Sequence, residues 1–255
     1  MTNPSDIHPA KLAAARAAVA LVKDGMKLGL GTGSTAVIMV YELADRAKAE
    51  GLTLRCAATS QATADLASSL GLNVESLDDI GRLDLTIDGA DEIDPDLNLI
   101  KGGGGAHLRE KIVACSSDRL IVIADGSKVV EQLGLFHLPV EVLKFGLEGT
   151  TSRIKAALDG IGLDGRPILL RKRDDQPFIT DEGNLILDLS LEAIPDPAAL
   201  NRCLNALPGV VENGLFIGLC DLAFIGREDG TIIELTSDEM DEDDDPLFGA
   251  GGDGF

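Results

Sequence analysis

The residues best suited to chemistry in this chain fall in three glycine-bearing turns. The first, Gly29-Leu30-Gly31-Thr32-Gly33-Ser34-Thr35, closes a short apolar run with glycines and opens the next segment with hydroxyls. A helix start there presents unpaired amides and a partial positive charge. Glycine lets an anion approach the backbone, and Ser34 and Thr35 add hydroxyl donors, a combination suited to a phosphate. No Gly-Lys-Ser/Thr follows, so this is not a Walker loop, and Ala36-Val37 stands where the dinucleotide fingerprint needs its third glycine. The second turn, Asp88-Gly89-Ala90-Asp91-Glu92-Ile93-Asp94, crowds carboxylates that require a cation, a proton or solvent nearby. The third is Lys101-Gly102-Gly103-Gly104-Gly105-Ala106-His107-Leu108-Arg109-Glu110-Lys111. Lys101 supplies a cation, and four successive glycines imply positive φ angles or a ligand close to the backbone. Glu110 falls about one turn into the following helix, early enough to point back at the loop if that helix starts near Ala106.

Each turn taken alone also admits an ordinary reading: a glycine turn with a hydroxyl cap, a surface bend before Pro95, a surface glutamate beside a lysine. Convergence separates the two. If the turns share one sheet edge, phosphate donors, two aspartates, a lysine and a glutamate face a single crevice. A carboxylate there can abstract the acidic C–H proton of a sugar while a lysine and loop amides stabilise the developing enediolate oxygen.

The elements that must position these turns alternate. Lys11 to Lys23 reads as an Ala-rich helix stopped by Asp24-Gly25, Met26 to Leu30 as a strand, and Ser34 to Lys48 as a helix. Thr53 to Ala58 (strand), Ser60 to Leu70 (helix), Val74 (short strand), Leu83 to Ile87 (strand), His107 to Ser116 (helix) and Leu120 to Ala124 (strand) continue the pattern. This predicts an α/β fold, a mostly parallel Rossmann-like sheet with helices on both faces. After Pro139 the order becomes β-α-β-β-α-β: Val140 to Phe145, Thr151 to Leu158, Pro167 to Arg173, Asn184 to Leu189, Pro197 to Leu207 and Val210 to Leu215. That is a smaller, ferredoxin-like α+β arrangement. Leu222 to Ile225 and Thr231 to Leu235, joined at Glu228-Asp229-Gly230, form a hairpin expected to return to the first sheet. The expected division is residues 1–138 with 214–236 as the catalytic α/β domain, 139–213 as the small domain, and 237–255 as an acidic, disordered tail.

Composition narrows the function. The chain has 255 residues, 45% of them apolar, and a formal net charge of -21, which disfavours a nucleic-acid partner. No run approaches a membrane span and no signal peptide is evident, so a cytoplasmic location is expected. Cys56, Cys115, Cys203 and Cys220 are scattered and read as reduced core residues. With His8, His107 and His137 equally dispersed, neither a disulfide framework nor a metal site is expected.

Gly-Thr-Gly-Ser-Thr at 31–35, Asp-Gly-Ala-Asp-Glu at 88–92 and Lys-Gly-Gly-Gly-Gly followed by Arg-Glu-Lys at 109–111 closely resemble the ribose-5-phosphate isomerases of type A. The likeness extends to Ala124-Asp125-Gly126-Ser127-Lys128, Leu138-Pro139-Val140-Glu141-Val142 and Pro208-Gly209-Val210-Val211, and so spans Lys11 to about Leu235. It implies a cofactor-free isomerase acting on a pentose phosphate in the pentose phosphate pathway, as a homodimer or homotetramer. By that resemblance Glu110 is the general base, Asp88 assists ring opening, Asp91 holds sugar hydroxyls and Lys101 stabilises charge on the oxygen. Thr32, Gly33, Ser34 and Thr35 bind phosphate with Lys11. Gly89, Ala90, Gly102, Gly103 and Gly104 border the substrate, and Lys128 closes on it. His107 stands where the family more often has an apolar residue, and altered packing is the expected consequence.

Two other classes compete. A related sugar-phosphate deaminase, lactonase or CoA transferase could use the same architecture, but the Lys101 to Glu110 spacing favours the isomerase. A sugar-phosphate sensor would need a DNA-binding module, for which the N-terminal extension has no room.

Overall fold

A computed structural model describes residues 8–236; the acidic segment expected to be a tail lies outside them. The chain runs α1 (Pro9–Ala20), β1 (Lys27–Leu30), α2 (Ser34–Glu50), β2 (Arg55–Ala58), α3 (Gln61–Ser69), β3 (Asn73–Val74), α4 (Leu77–Ile80) and β4 (Leu85–Gly89). It continues with β5 (Glu92–Ile93), β6 (Leu99–Ile100), α5 (His107–Cys115), β7 (Leu120–Asp125), β8 (Leu138–Val142), α6 (Leu147–Gly160), β9 (Ile168–Leu170), β10 (Lys172–Arg173) and β11 (Gln176–Pro177). Last come β12 (Leu185–Leu189), α7 (Pro197–Asn205), β13 (Val210–Asn213), β14 (Leu215–Phe216), β15 (Leu222–Gly226) and β16 (Ile232–Thr236).

Seven strands form the central sheet in the order β16-β15-β7-β4-β1-β2-β3, parallel except for β16. Because both faces are covered, its inner strands read as unbroken apolar runs. In β7, Ile121 and Ile123 pack with Leu28, Leu30, Met39, Leu43 and the alanines of α1. Leu120, Val122 and Ala124 point the opposite way, toward Ala114, Leu99 and Phe216. Small side chains let α1 lie flat against the sheet: Ala14, Ala15 and Ala18 are fully buried. The Ser60 side chain caps α3 by accepting from the Thr63 amide, and α2 ends on a left-handed Gly51.

Strand order runs outward from the centre in both directions, β1-β2-β3 one way and β4-β7-β15 the other. The loops leaving β1 and β4 therefore diverge and open a crevice at their carboxyl ends, the usual place for a ligand in such sheets.

The second sheet, β13-β8-β12-β9, is antiparallel throughout and adopts the ferredoxin-like order. Leu185, Leu187 and Leu189 of β12 face Ile154 and Leu158 of α6 and Leu200 and Leu204 of α7. Ile186 and Asp188, one residue out of phase, face away from these helices. A three-stranded sheet, β14-β6-β5, joins the two larger ones. Here Lys101 N donates to Gly214 O at 2.9 Å, and buried Glu92 accepts from the amides of Gly134 (2.7 Å) and Phe136 (2.5 Å).

Three expectations need correction. The strand expected over Val140 to Phe145 lies at Leu138–Val142, leaving Phe145 93% exposed. The strand expected over Val210 to Leu215 breaks at Gly214, where a Cβ would come 2.3 Å from Lys101 O, and Leu215 belongs to a different sheet. Of the four free cysteines only Cys56 and Cys220 are buried; Cys115 is exposed at the end of α5.

Candidate active site

The phosphate-suited turn links β1 to α2. Gly33, at φ 109°, caps the helix, so the free amides of the first turn of a 17-residue helix face the crevice. Lys11 Nζ, from α1, donates to Ser34 Oγ at 2.9 Å and stands 4.0 Å from Asp125 Oδ2. Thr32 behaves differently from the expectation for this turn. Its hydroxyl sits among Thr59, Ser60 and Thr63 hydroxyls at 2.7, 2.8 and 3.2 Å, so the side chain fixes the turn from behind while the backbone faces the crevice.

β4 delivers Asp88 to the crevice floor. Its Oδ1 accepts from the amides of Thr32 (3.0 Å) and Gly89 (2.7 Å), and its Oδ2 lies 3.1 Å from Lys101 Nζ. Gly31 makes this possible. A Cβ there would stand 2.1 Å from Asp88 Oδ1 and 2.5 Å from Asp88 Cα, a collision no rotamer change could relieve.

Lys101 is the hub. Its ammonium donates to Gly89 O and sits between Asp88 Oδ2 and, at 3.4 Å, Glu110 Oε2. Neither carboxylate oxygen has a directed hydrogen-bond partner, so the attraction within the trio is chiefly Coulombic in a water-poor setting. Burial opposes the charge of Lys101, but Asp88 and Glu110 outweigh it and raise the lysine above its ordinary range. Asp88 is also raised, by burial first, with Lys101 pulling the other way. Glu110 moves furthest into the useful range. Burial pushes it up to about 8 against the pull of Lys101, with Asp88 and Asp91 adding like-charge repulsion.

The glycine loop closes the crevice. Gly102, at φ 101°, leaves no room for a Cβ, which would meet His107 Nδ1 at 2.7 Å. Gly103 N donates to Asp91 Oδ2 at 2.7 Å. His107 opens α5 fully buried, with both ring nitrogens lacking directed partners. Burial, and then the charges of Lys111 and Arg171, hold it neutral down to about 3.

A cavity with an open volume of about 520 Å³ results. Lys11, Thr32, Gly33, Ser34, Thr35, Gly89, Ala90, Asp91, Lys101, Gly102, Gly103, Gly104, Glu110 and Lys128 line it. The structure thus brings the sequence-derived candidates to one place, with one exception: Asp88 stands behind the wall and reaches the cavity through Lys101 and the amides of Thr32 and Gly89. Sequence reasoning missed Arg171, whose Nη1 donates to Gly102 O and Gly103 O at 2.7 and 3.2 Å. The strand expected over Pro167 to Arg173 breaks at this residue, which lies between β9 and β10 with no local motif beside it. Among the described residues, no group of three or more His, Cys, Asp or Glu side chains is arranged to hold a metal ion.

A helix start suited to an anion and a buried carboxylate–lysine–carboxylate trio share one crevice at the switch point of a parallel sheet, the arrangement expected of an enzyme acting on a sugar phosphate. The comparisons give the family. Residues 55–230 match the family model for ribose 5-phosphate isomerase A (phosphoriboisomerase A). The ribose-5-phosphate isomerase A of Dinoroseobacter shibae is 55% identical over 228 residues, covering 89% of this chain and 88% of that protein. A ribose 5-phosphate isomerase structure from Plasmodium falciparum superimposes with a TM-score of 0.84 at 38% identity, covering 89% of this chain and 97% of that one. A D-ribose-5-phosphate isomerase solved in complex with phospho-erythronic acid gives a TM-score of 0.80 at 34% identity, with 89% and 97% coverage. The chain belongs to the ribose 5-phosphate isomerase A family.

Proposed function

We propose that this chain interconverts D-ribose 5-phosphate and D-ribulose 5-phosphate through a cis-enediolate, with no cofactor. The observation that carries the reading is Glu110, a cavity-lining carboxyl with its proton affinity raised to about 8, held 3.4 Å from the Lys101 ammonium beside a phosphate-suited helix start. A base of that strength is well matched to a weakly acidic carbon proton at neutral pH.

The phosphate binds at the Gly33 to Thr35 amides and hydroxyls with Lys11, and Lys128, which also lines the cavity, adds charge. In the open-chain aldose Glu110 takes the C2 proton, and the C–H electron pair forms the C1–C2 double bond of the enediolate. Lys101 and the glycine-loop amides stabilise the oxyanion. Glu110 returns its proton to C1 while a proton passes from O2 to O1, giving the ketose. Asp91 holds sugar hydroxyls, and Asp88 supports ring opening through the Lys101 ammonium and the Thr32 amide it grips. The phospho-erythronic acid bound by a relative is a phosphate joined to an anionic planar head, the same pair of features this cavity serves.

The same reading places the enzyme in the non-oxidative pentose phosphate pathway of the cytoplasm as a homodimer or homotetramer. Among the described residues no helix is long and apolar enough to cross a membrane. It also treats residues 1–138 with 214–236 as the catalytic domain and 139–213 as the smaller one. The test is an assay of ribose 5-phosphate conversion to ribulose 5-phosphate with EDTA present. Robust turnover is expected, and a purified, folded chain without it would refute the proposal.

A further inference from the structure

We infer that Arg171, which reaches the glycine loop from the antiparallel sheet, is a positioning residue that aims the loop amides of Gly103 and Gly104 into the cavity and so completes the oxyanion site. The inference rests on the isomerase reading above.

Arg171 sits between β9 and β10, its own amide bonded to Ile186 O at 2.9 Å. Its guanidinium is held in a two-point grip by Asp188, with Nε donating to Oδ2 at 2.9 Å and Nη2 to Oδ1. Asp188 is on the side of β12 away from α6 and α7, so the pair stands between that sheet and the loop. The remaining arm, Nη1, spans two successive carbonyls, Gly102 O and Gly103 O.

Peptide planarity converts this outer contact into an inner one. In a trans peptide the C=O and the following N–H point in opposite directions. With the carbonyls of Gly102 and Gly103 drawn outward to Arg171, the amides of Gly103 and Gly104 are turned inward. The first is seen to do so, donating to Asp91 Oδ2 at 2.7 Å. The second makes no hydrogen bond among the described residues and belongs to a residue lining the cavity, where a Cβ would face Thr32 Cγ2 at 3.8 Å. Gly102 O also accepts from the Gly105 amide at 2.9 Å, so the plane that depends most on Arg171 is the one joining Gly103 to Gly104, which glycine would otherwise leave free to rotate. A cation on the carbonyl side also polarises each peptide, strengthening its amide as a donor. Lysine cannot reproduce this, because a point ammonium lacks the planar fork that serves a carboxylate and two carbonyls together.

The experiment compares wild type with Arg171→Met and Arg171→Lys in ribose 5-phosphate isomerisation, with inhibition constants for phospho-erythronic acid and for inorganic phosphate. For Arg171→Met the expected result is a kcat lower by about 10- to 100-fold, KM within about threefold, and phospho-erythronic acid weakened by about tenfold or more. Inorganic phosphate inhibition should be unchanged. Arg171→Lys, which keeps charge and stem, should show the same split at smaller amplitude, and it decides the matter if the methionine variant does not fold. A loss of rate with both inhibitors equally affected, or no loss, would overturn the inference. Wild-type protein without isomerase activity would instead refute the functional reading on which it stands.

Discussion

Lys101 Nζ stands 3.4 Å from Glu110 Oε2, both side chains about 95% or more shielded from solvent, yet no directed hydrogen bond joins them. The lysine is close enough to stabilise the carboxylate without fixing its lone pairs. Glu110 also lines the cavity, so the carboxylate stands where the proposed base must meet its substrate.

Replacing that carboxylate isolates its role. Glu110→Gln keeps size and shape while removing the base, so kcat should fall about 10²- to 10⁴-fold with KM within about tenfold of wild type. Steady-state kinetics on ribose 5-phosphate decides it, and near-normal turnover would reject Glu110 as the base.

The pH profile has a definite direction. With Glu110 as the proposed base, turnover needs it deprotonated, and its proton affinity in the free enzyme is raised to about 8. Thus kcat/KM should climb with pH and level off above about 8, and Lys101, raised above its ordinary range, should contribute no falling limb near that value. A profile flat from pH 6 to 9 would contradict the assignment.

Gly31→Ala tests the floor of the crevice. The added methyl would sit 2.5 Å from Asp88 Cα, so the backbone must move. A loss of about 1 to 3 kcal/mol is expected in chemical denaturation, with a drop in kcat as the Thr32 amide leaves Asp88. An alanine variant matching wild type in both measurements would show that the close approach is dispensable.

His107 links stability to acidity. Buried and neutral, it is held at about 3 against an ordinary value of 6.5. Between these limits the unfolded chain binds a proton that the folded chain refuses, so the histidine's contribution to stability is present above 6.5 and is lost as pH falls. Relative to His107→Leu, wild type should lose about 2 kcal/mol between pH 7.5 and 5, read from urea midpoints at each pH. Parallel curves for the two proteins would disprove it.

Much of this arrangement is legible in the sequence because local chemistry dictates it. The helices read over Ser34 to Lys48 and Ser60 to Leu70 and the apolar strand Leu120 to Ala124 are each reproduced in type by the structure. The three glycine-bearing turns declare themselves through residue types that ordinary turns do not need together. What escapes is long-range or very short. The two-residue strands β5, β6 and β14 and the four-residue α4 carry too few side chains for a periodicity to show. Arg171 finds Asp188 and the glycine loop across separations of 17 and 69 residues, and nothing beside it in the chain marks either contact. The withdrawal of Asp88 behind the cavity wall likewise depends on how two strands lie side by side.

That adjacency has a consequence of its own. Leu30 pairs with Ile87, and Gly31 N bonds to Ile87 O at 2.9 Å, which places the glycine against the aspartate that follows. Side chains alternate faces along a strand, so slippage by a single residue would turn the acid away from the lysine and point a hydrocarbon at it instead. Such a protein could retain its helices, its sheet and its spectroscopic signature of folding and still be inert. The address of the aspartate is written in the alignment of β1 with β4 as much as in its own identity.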